Sequence, residues 1–306
     1  MKYFIKKEYG RAVFGRRAVF GLLLLSFVLT LLVLPSSLAY NYEHVNVTAT
    51  VNVTNAGPEV IEVRPEDPIV LSAGGYKTVS CNTTVKDWNG FNDIDSVNAT
   101  LYFYLNDSSD PDDEDEHYTN ASCAEISNDG GFEANYSCTF EVRYFAKNGT
   151  WTCNISVNDT LSYDASLSEN TSVSALYALN VTDVIDYGEL SVTDTSDNVT
   201  ATVTNFGNMA INVSVLGYGE TEGDGLGLVC EQGSNISIEH QRFSSTPLPW
   251  DSKTPLASTA KDMGITLSKP TSESNPITHD TYWQLYVPPN PFGRCNGTVR
   301  FTATAP

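Results

Sequence analysis

A chain of 306 residues with 17 Lys+Arg against 37 Asp+Glu carries a formal charge of −20, and such a surface repels nucleic acid and anionic lipid. An aromatic content of 11% with regular β-branched alternation excludes a disordered chain, because there is ample apolar surface to bury. Six cysteines without a Cys-x-x-Cys pair favour disulfides over metal thiolates or catalytic thiols.

Residues 1–39 read as targeting. Lys2, Lys6, Lys7, Arg11, Arg16 and Arg17 form a basic region, Ala18 to Leu34 an apolar core, and Ser37-Leu38-Ala39 a small-residue cleavage site, the pattern of a secretory signal peptide. The core is also long enough to span a bilayer, so an uncleaved N-terminal membrane anchor stays open as the alternative. No second apolar stretch predicts a C-terminal anchor. Residues 1–39 hold six of the 17 basic and one of the 37 acidic residues, which leaves 11 against 36 and a formal charge of −25 for the remainder. That balance suits an extracellular or cell-surface protein. The length beyond residue 39 suits two sandwich domains, 40–179 and 180–306.

In chain order, Val45 to Thr54 (VNVTATVNVT) alternates without a break and predicts an opening strand, ended at Asn55-Ala56-Gly57-Pro58. Val60 to Val63 and Ile69 to Leu71 predict short edge segments, since Pro65 and Pro68 cannot donate to a central ladder. Tyr76 to Leu105 is strand, turn, strand: Val79, Cys81, Thr83 and Val85 share one face, as do Val97, Ala99, Leu101, Phe103 and Leu105. The acidic run from Asn106 to His117, with Asp112 to Glu116 continuous, reads as a solvated connection, with a cation site as the other reading. Tyr118 to Ser127 and Phe132 to Phe145 flank Asn128-Asp129-Gly130-Gly131, turn chemistry that predicts a hairpin. Thr150 to Asp159 places Trp151, Cys153, Ile155 and Val157 on one face. Leu161 to Leu179 reads as a Ser/Asn-rich loop and then the last strand of the first domain.

In the second domain Val199, Ala201 and Val203 face Ile211, Val213 and Val215 across a turn at Asn205-Phe206-Gly207-Asn208. Glycines from Gly217 to Gly227 punctuate a connection to Cys230. Residues 244–276 are Pro/Ser-rich and poorly periodic, which predicts a long excursion with one short helix. Tyr282 to Val287 and Gly297 to Ala303 close the domain.

The cysteines follow the strands. The predicted turn at 128–131 lies midway between Cys123 and Cys138, so these two face each other across the hairpin. Cys81 and Cys153 share inward parity, which leaves them to bridge the sandwich, and Cys230 pairs with Cys295 in the second domain. A loop of about 70 residues closed by Cys81–Cys153 stabilises by roughly 4 kcal/mol in the chain-entropy treatment.

Asn-x-Ser/Thr triplets begin at Asn46, Asn52, Asn82, Asn98, Asn106, Asn120, Asn135, Asn148, Asn154, Asn158, Asn170, Asn180, Asn198, Asn212, Asn235 and Asn296. These are 16 of 25 asparagines, where chance composition would give about five, and glycan acceptance is the function that explains the excess. On a strand the Asn and the Ser/Thr point one way and the middle residue the other. Middle residues such as Val47, Ala99, Tyr136, Ile155 and Val213 therefore enter a core while the acceptor faces solvent.

In DWNGFNDID, Asp87, Asn89, Asp93 and Asp95 offer hard oxygen donors on one turn, as calcium requires. The spacing is not that of an EF-hand loop, and an Asx turn with a left-handed Gly90 accounts for the same residues. Apart from calcium no cofactor is indicated. HExxH, GxSxG and phosphate-cradling glycine loops are absent, and His44, His117, His240 and His279 are scattered, so the sequence predicts no enzyme. A carboxylate pair of a glycan-active enzyme is the remote alternative. Trp88, Trp250 and Trp283 read as core or loop anchors before sugar platforms.

VKDWNGFNDIDSVNATL resembles the V-x-D-x-N-G-x-x-D-I-x-S-V pattern of Ig-like modules in exported prokaryotic surface proteins, and TWTCNISVND is similar to an Ig strand F. IDYGELSVTDTSDNVTATVTNFGN looks like the opening of sandwich domains in archaeal and bacterial surface proteins. Trp151 stands where antibody domains have their corner tyrosine, and Trp88 is too near Cys81 for their strand C tryptophan, so the match is to Ig-like sandwiches broadly. Together with the sequons, the chain resembles archaeal secreted or cell-surface glycoproteins with tandem Ig-like domains. The resemblance implies an all-β fold of two tandem Ig-like antiparallel β-sandwiches after an N-terminal signal or anchor helix. The expectation is an exported, N-glycosylated, disulfide-bonded surface protein of structural or adhesive role. A dedicated carbohydrate- or protein-binding module, calcium-dependent or not, is the alternative. Partners would be other surface proteins or glycans, not nucleic acid, with the membrane met only through an uncleaved N-terminus.

Overall fold

Alternation sets the first sandwich. The computed structural model describes residues 46–161 and 163–306; the signal or anchor segment expected at 1–39 lies outside the described residues. Residues 46–54 alternate but are exposed and, among the described residues, pair with no strand, so the opening strand expected there is not formed. A strand is stable only against a partner edge. The strands of this sandwich are β1 (Glu59–Pro65), β2 (Tyr76–Lys86), β3 (Ile94–Phe103), β4 (His117–Asn120), β5 (Ala124–Asn128), β6 (Glu133–Arg143), β7 (Gly149–Asp159) and β8 (Asp164–Val173). They form two four-stranded antiparallel sheets, β1-β2-β6-β5 and β4-β3-β7-β8.

Between the sheets lie Val79, Cys81 and Val85 from β2, Val97, Ala99 and Leu101 from β3, Cys138 and Phe140 from β6, and Trp151, Cys153, Ile155 and Val157 from β7. The indole N–H of buried Trp151 donates to the Lys147 carbonyl at 2.7 Å, which removes the penalty of burying it. Cys81 is bonded to Cys153 from sheet to sheet, with Cα atoms 6.7 Å apart. Cys123 is bonded to Cys138.

Besides 46–54, four segments of this sandwich differ from the sequence reading. Leu105 is exposed, because β3 ends at Phe103 and the chain turns away. The stretch 118–127 is not one strand: its first part pairs with β3 and its second with β6, so the chain changes sheets near Ala121. The polar stretch 164–173, read as loop, is the edge strand β8, whose outer face tolerates Ser and Asn. The continuous acid run is not a free loop, as described below.

The second sandwich comprises β9 (Leu179–Val181), β10 (Val199–Asn205), β11 (Ile211–Tyr218), β12 (Leu226–Gln232), β13 (Ile236–Ser237), β14 (Gln241–Ser244), β15 (Thr254–Pro255), β16 (Lys261–Leu267), β17 (Thr278–Leu285), β18 (Phe292–Asn296) and β19 (Thr298–Thr304). One sheet has the order β15-β14-β17-β10-β9, the facing one β16-β11-β19, and β13-β12-β18 forms a smaller ladder in which Cys230 is bonded to Cys295. Asn205 to Asn208 carries the chain from one sheet to the other, so β10 and β11 face each other through the core and are not a hairpin. Within the expected excursion 244–276, Met263, Ile265 and Leu267 of β16 are buried beside β11, and the helix is a single 3₁₀ turn, Trp250–Ser252.

Candidate functional site

The inward row of β2 runs Val79, Cys81, Thr83, Val85 and then reaches Asp87, just past the strand's end. That of β7 runs Trp151, Cys153, Ile155, Val157 and ends on Asp159. Both rows thus finish at one end of the sandwich with a carboxylate where alternation demands an inward side chain. A 3₁₀ turn, Phe91–Asp93, brings in a third. One oxygen each from Asp87, Asp93 and Asp159 lies within 4.8 Å of the other two.

Each carboxylate is held. Asp87 is fully buried; its Oδ1 accepts the Asn89 N–H at 2.7 Å, while its Oδ2 is sealed from solvent without a hydrogen-bond partner. Asp159 Oδ1 accepts the N–H groups of Leu161 at 2.9 Å and Tyr163 at 2.8 Å. Its Oδ2 accepts the Asn55 amide at 2.6 Å. Asp93 accepts the Thr160 hydroxyl. Burial, and after it the negative charges of Asp93 and Asp159, push the Asp87 carboxyl above the usual carboxylate range, against the Asn89 N–H that favours the charged form. Among the described residues no Lys, Arg or His pairs with any of the three.

Of the four donors read from the sequence, Asp87 and Asp93 meet in this group. Asn89 borders it and accepts the Ala56 N–H through its side-chain oxygen at 2.8 Å. Asp95 is exposed and outside it, at a bulge in the β3–β7 pairing. Asp159 went unread, although an acid continuing the inward parity of TWTCNISVND is a signal the sequence carries.

Beside the group Trp88 is 56% exposed and Phe132 44% exposed, their rings 5.6 Å apart, with the Lys86 ammonium 4.0 Å from the indole centroid. Trp283 is core and donates to Thr281 Oγ1 at 2.9 Å. Trp250 lies under the Arg242 guanidinium.

The acid run is matched to basic groups. His117 Nδ1 lies 3.1 Å from Asp112, Arg143 Nε donates to Glu114 at 3.0 Å, Lys147 to Glu116 at 2.6 Å, and Lys269 of the second sandwich to Asp115. Burial outweighs Lys269 at Asp115 and keeps its carboxyl above the usual range.

All 16 sequon asparagines are exposed or half-buried, including Asn82, Asn98, Asn135 and Asn154, whose middle residues Thr83, Ala99, Tyr136 and Ile155 are buried. Among the described residues the two buried asparagines, Asn205 and Asn208, belong to no sequon. In the second sandwich a groove of about 1360 Å³ is lined by Val181, Ile185, Tyr187, Val299 and Phe301 among others. Among the described residues no helix is long and apolar enough to cross a membrane.

Neither a family model nor a curated protein sequence matches the chain. Solved structures give distant likenesses. The CsuC–CsuE chaperone–tip adhesion subunit complex of Acinetobacter baumannii aligns over 79% of this chain and 99% of its own, at 9% identity and a TM-score of 0.38. The C-terminal domain of the Streptococcus agalactiae AgI/II polypeptide BspA aligns over 81% and 96%, at 9% identity and a TM-score of 0.24. A carbohydrate-binding module of the β-sandwich superfamily aligns over 83% and 98%, at 12% identity and a TM-score of 0.24.

Proposed function

We propose that the chain is an exported, N-glycosylated surface protein whose two disulfide-bonded sandwiches have a structural or adhesive role without catalysis. The observation that supports this most is the segregation of asparagines. Sequon acceptors occupy outward strand positions and loops, while the asparagines that the core consumes stand outside sequons. A sheet that alternates in this way accepts a glycan on one face without loss of packing on the other. Intact-mass measurement and peptide mapping of protein isolated from its native host test the reading: glycans at many sites, Asn82, Asn98 and Asn154 among them, are expected, and a mass equal to the bare polypeptide overturns it.

A second reading, a dedicated glycan-binding module, is favoured by the exposed Trp88–Phe132 pair, since an uncovered aromatic face suits a sugar ring. A glycan array separates the two. One preferred ligand at micromolar affinity, lost in Trp88→Ala, favours recognition; self-association of the protein without such a ligand favours structure.

A further inference from the structure

Three carboxylates gathered within 4.8 Å at the rim of a sandwich repel one another, and among the described residues no Lys, Arg or His pairs with them. Two are buried, and the deeper, Asp87, has an oxygen with no hydrogen-bond partner and no water-facing surface. An acceptor sealed in that way costs free energy unless something positive meets it. Carboxylate oxygens are hard donors, and calcium takes six to eight oxygens in flexible geometry at about 2.3–2.6 Å, which three acids from separate turns can supply, whereas magnesium demands near-ideal octahedral geometry and keeps most of its water. We propose that Asp87, Asp93 and Asp159 bind a divalent cation of calcium's size.

Asp93, half-buried, leaves the group open on one side to water and to the ion. The Asn55 amide and the Asn89 side-chain oxygen border it, and these are the groups that dock the incoming chain: Asn55 on Asp159 and Ala56 on Asn89. The cation therefore ties three segments together, the turn after β2, the turn after β7 and residues 55 to 58. The missing positive charge, not the turn geometry, motivates the site.

The test uses the full exported chain, stripped with chelator and titrated with calcium chloride alone, by calorimetry and thermal melting. A single binding heat is expected, with a Tm rise of about 5 to 10 °C at a calcium concentration about 100 times Kd. Amide exchange at residues 55 to 57 and at 160, 161 and 163 should slow on binding. Asp93→Asn, at a half-buried position that leaves the core untouched, weakens calcium binding by at least about tenfold. Asp95→Asn removes the same charge two residues along the chain, at an exposed position outside the group, and leaves binding unchanged. Absence of heat and of any melting shift in the parent protein overturns the site, as does calcium affinity unaltered by Asp93→Asn or lowered equally by Asp95→Asn. An equal response to magnesium overturns the size assignment.

Discussion

Asn208 is fully buried where the two sandwiches meet, and every polar atom of its side chain has a task. Its amide donates to the carbonyls of Ala146 at 2.9 Å and Ser174 at 3.0 Å, and its oxygen accepts the Leu176 N–H at 2.7 Å. Next to it a Cβ at Gly207 would overlap the Leu176 carbonyl, so the loop approaches the first sandwich closer than any side chain allows. Asn208→Ala strands one buried carbonyl, one partly buried carbonyl and one N–H. It is expected to cost about 2–4 kcal/mol, read as a fall in Tm by differential scanning calorimetry; a melting curve identical to the parent's shows that this residue is not holding the joint. The sequence announces Asn205-Phe206-Gly207-Asn208 as turn chemistry but not as a plug, since tight approach between distant segments leaves no local pattern. Asp87 and Asp159 are the opposite case, inward acids whose place follows from parity alone.

Among the strands that form, long regular alternation was readable and interrupted alternation was not, whereas the equally regular 46–54 forms no strand. β2, β3 and β7 each bury every second residue over at least four positions, and the period identifies the core face. β16 has the same inward row, Met263, Ile265 and Leu267, but Gly264, the prolines around it and its shortness mask the period. The division of 118–127 between two sheets has no sequence marker, because both halves are polar on one side and the partner edge decides. Loops can also be organised by one residue. Asp224 accepts the N–H groups of Gly219, Glu220, Thr221 and Leu226 at 3.1, 2.8, 3.1 and 2.9 Å, which hold its carboxyl well below the usual carboxylate range. A folded-state pKa below the unfolded value means that the ordering is present above pH of about 4 and is lost as pH falls through the folded value. Asp224→Ala is expected to speed amide exchange of these four residues by about tenfold at neutral pH, and the parent loop to loosen the same way in acid. Unchanged exchange in the variant would place the order elsewhere, for instance in the paired contacts of Arg300 with Glu222 at 2.7 and 2.8 Å.

At the scale of the molecule the sandwiches share more than a linker. Phe206 packs on Tyr144 with ring centroids 5.6 Å apart, Arg143 reaches Glu273 at 3.3 Å, and Lys269 donates to Asp115 and to the Phe145 carbonyl. Lys269→Ala leaves the buried Asp115 carboxylate without its cation and is expected to destabilise by about 3 kcal/mol. Asp115→Asn combined with Lys269→Met should recover part of that loss. Calorimetry of the single and double variants decides it: a double variant no better than the single one means that packing, not charge, keeps the faces together. The two-sandwich, all-β plan was readable from strand periods and the cysteine count, whereas this contact was not, because its members lie more than 120 residues apart.

The bridge from Cys81 to Cys153 spans 72 positions of chain and that from Cys230 to Cys295 spans 65. Tension applied along the polypeptide would pass through sulfur at both places and bypass everything enclosed. Without the first bond the enclosed stretch would reel out to roughly 250 Å; with it, that slack is never released. Stretched molecules of this protein should behave as short, stiff tethers, whatever they are fastened to.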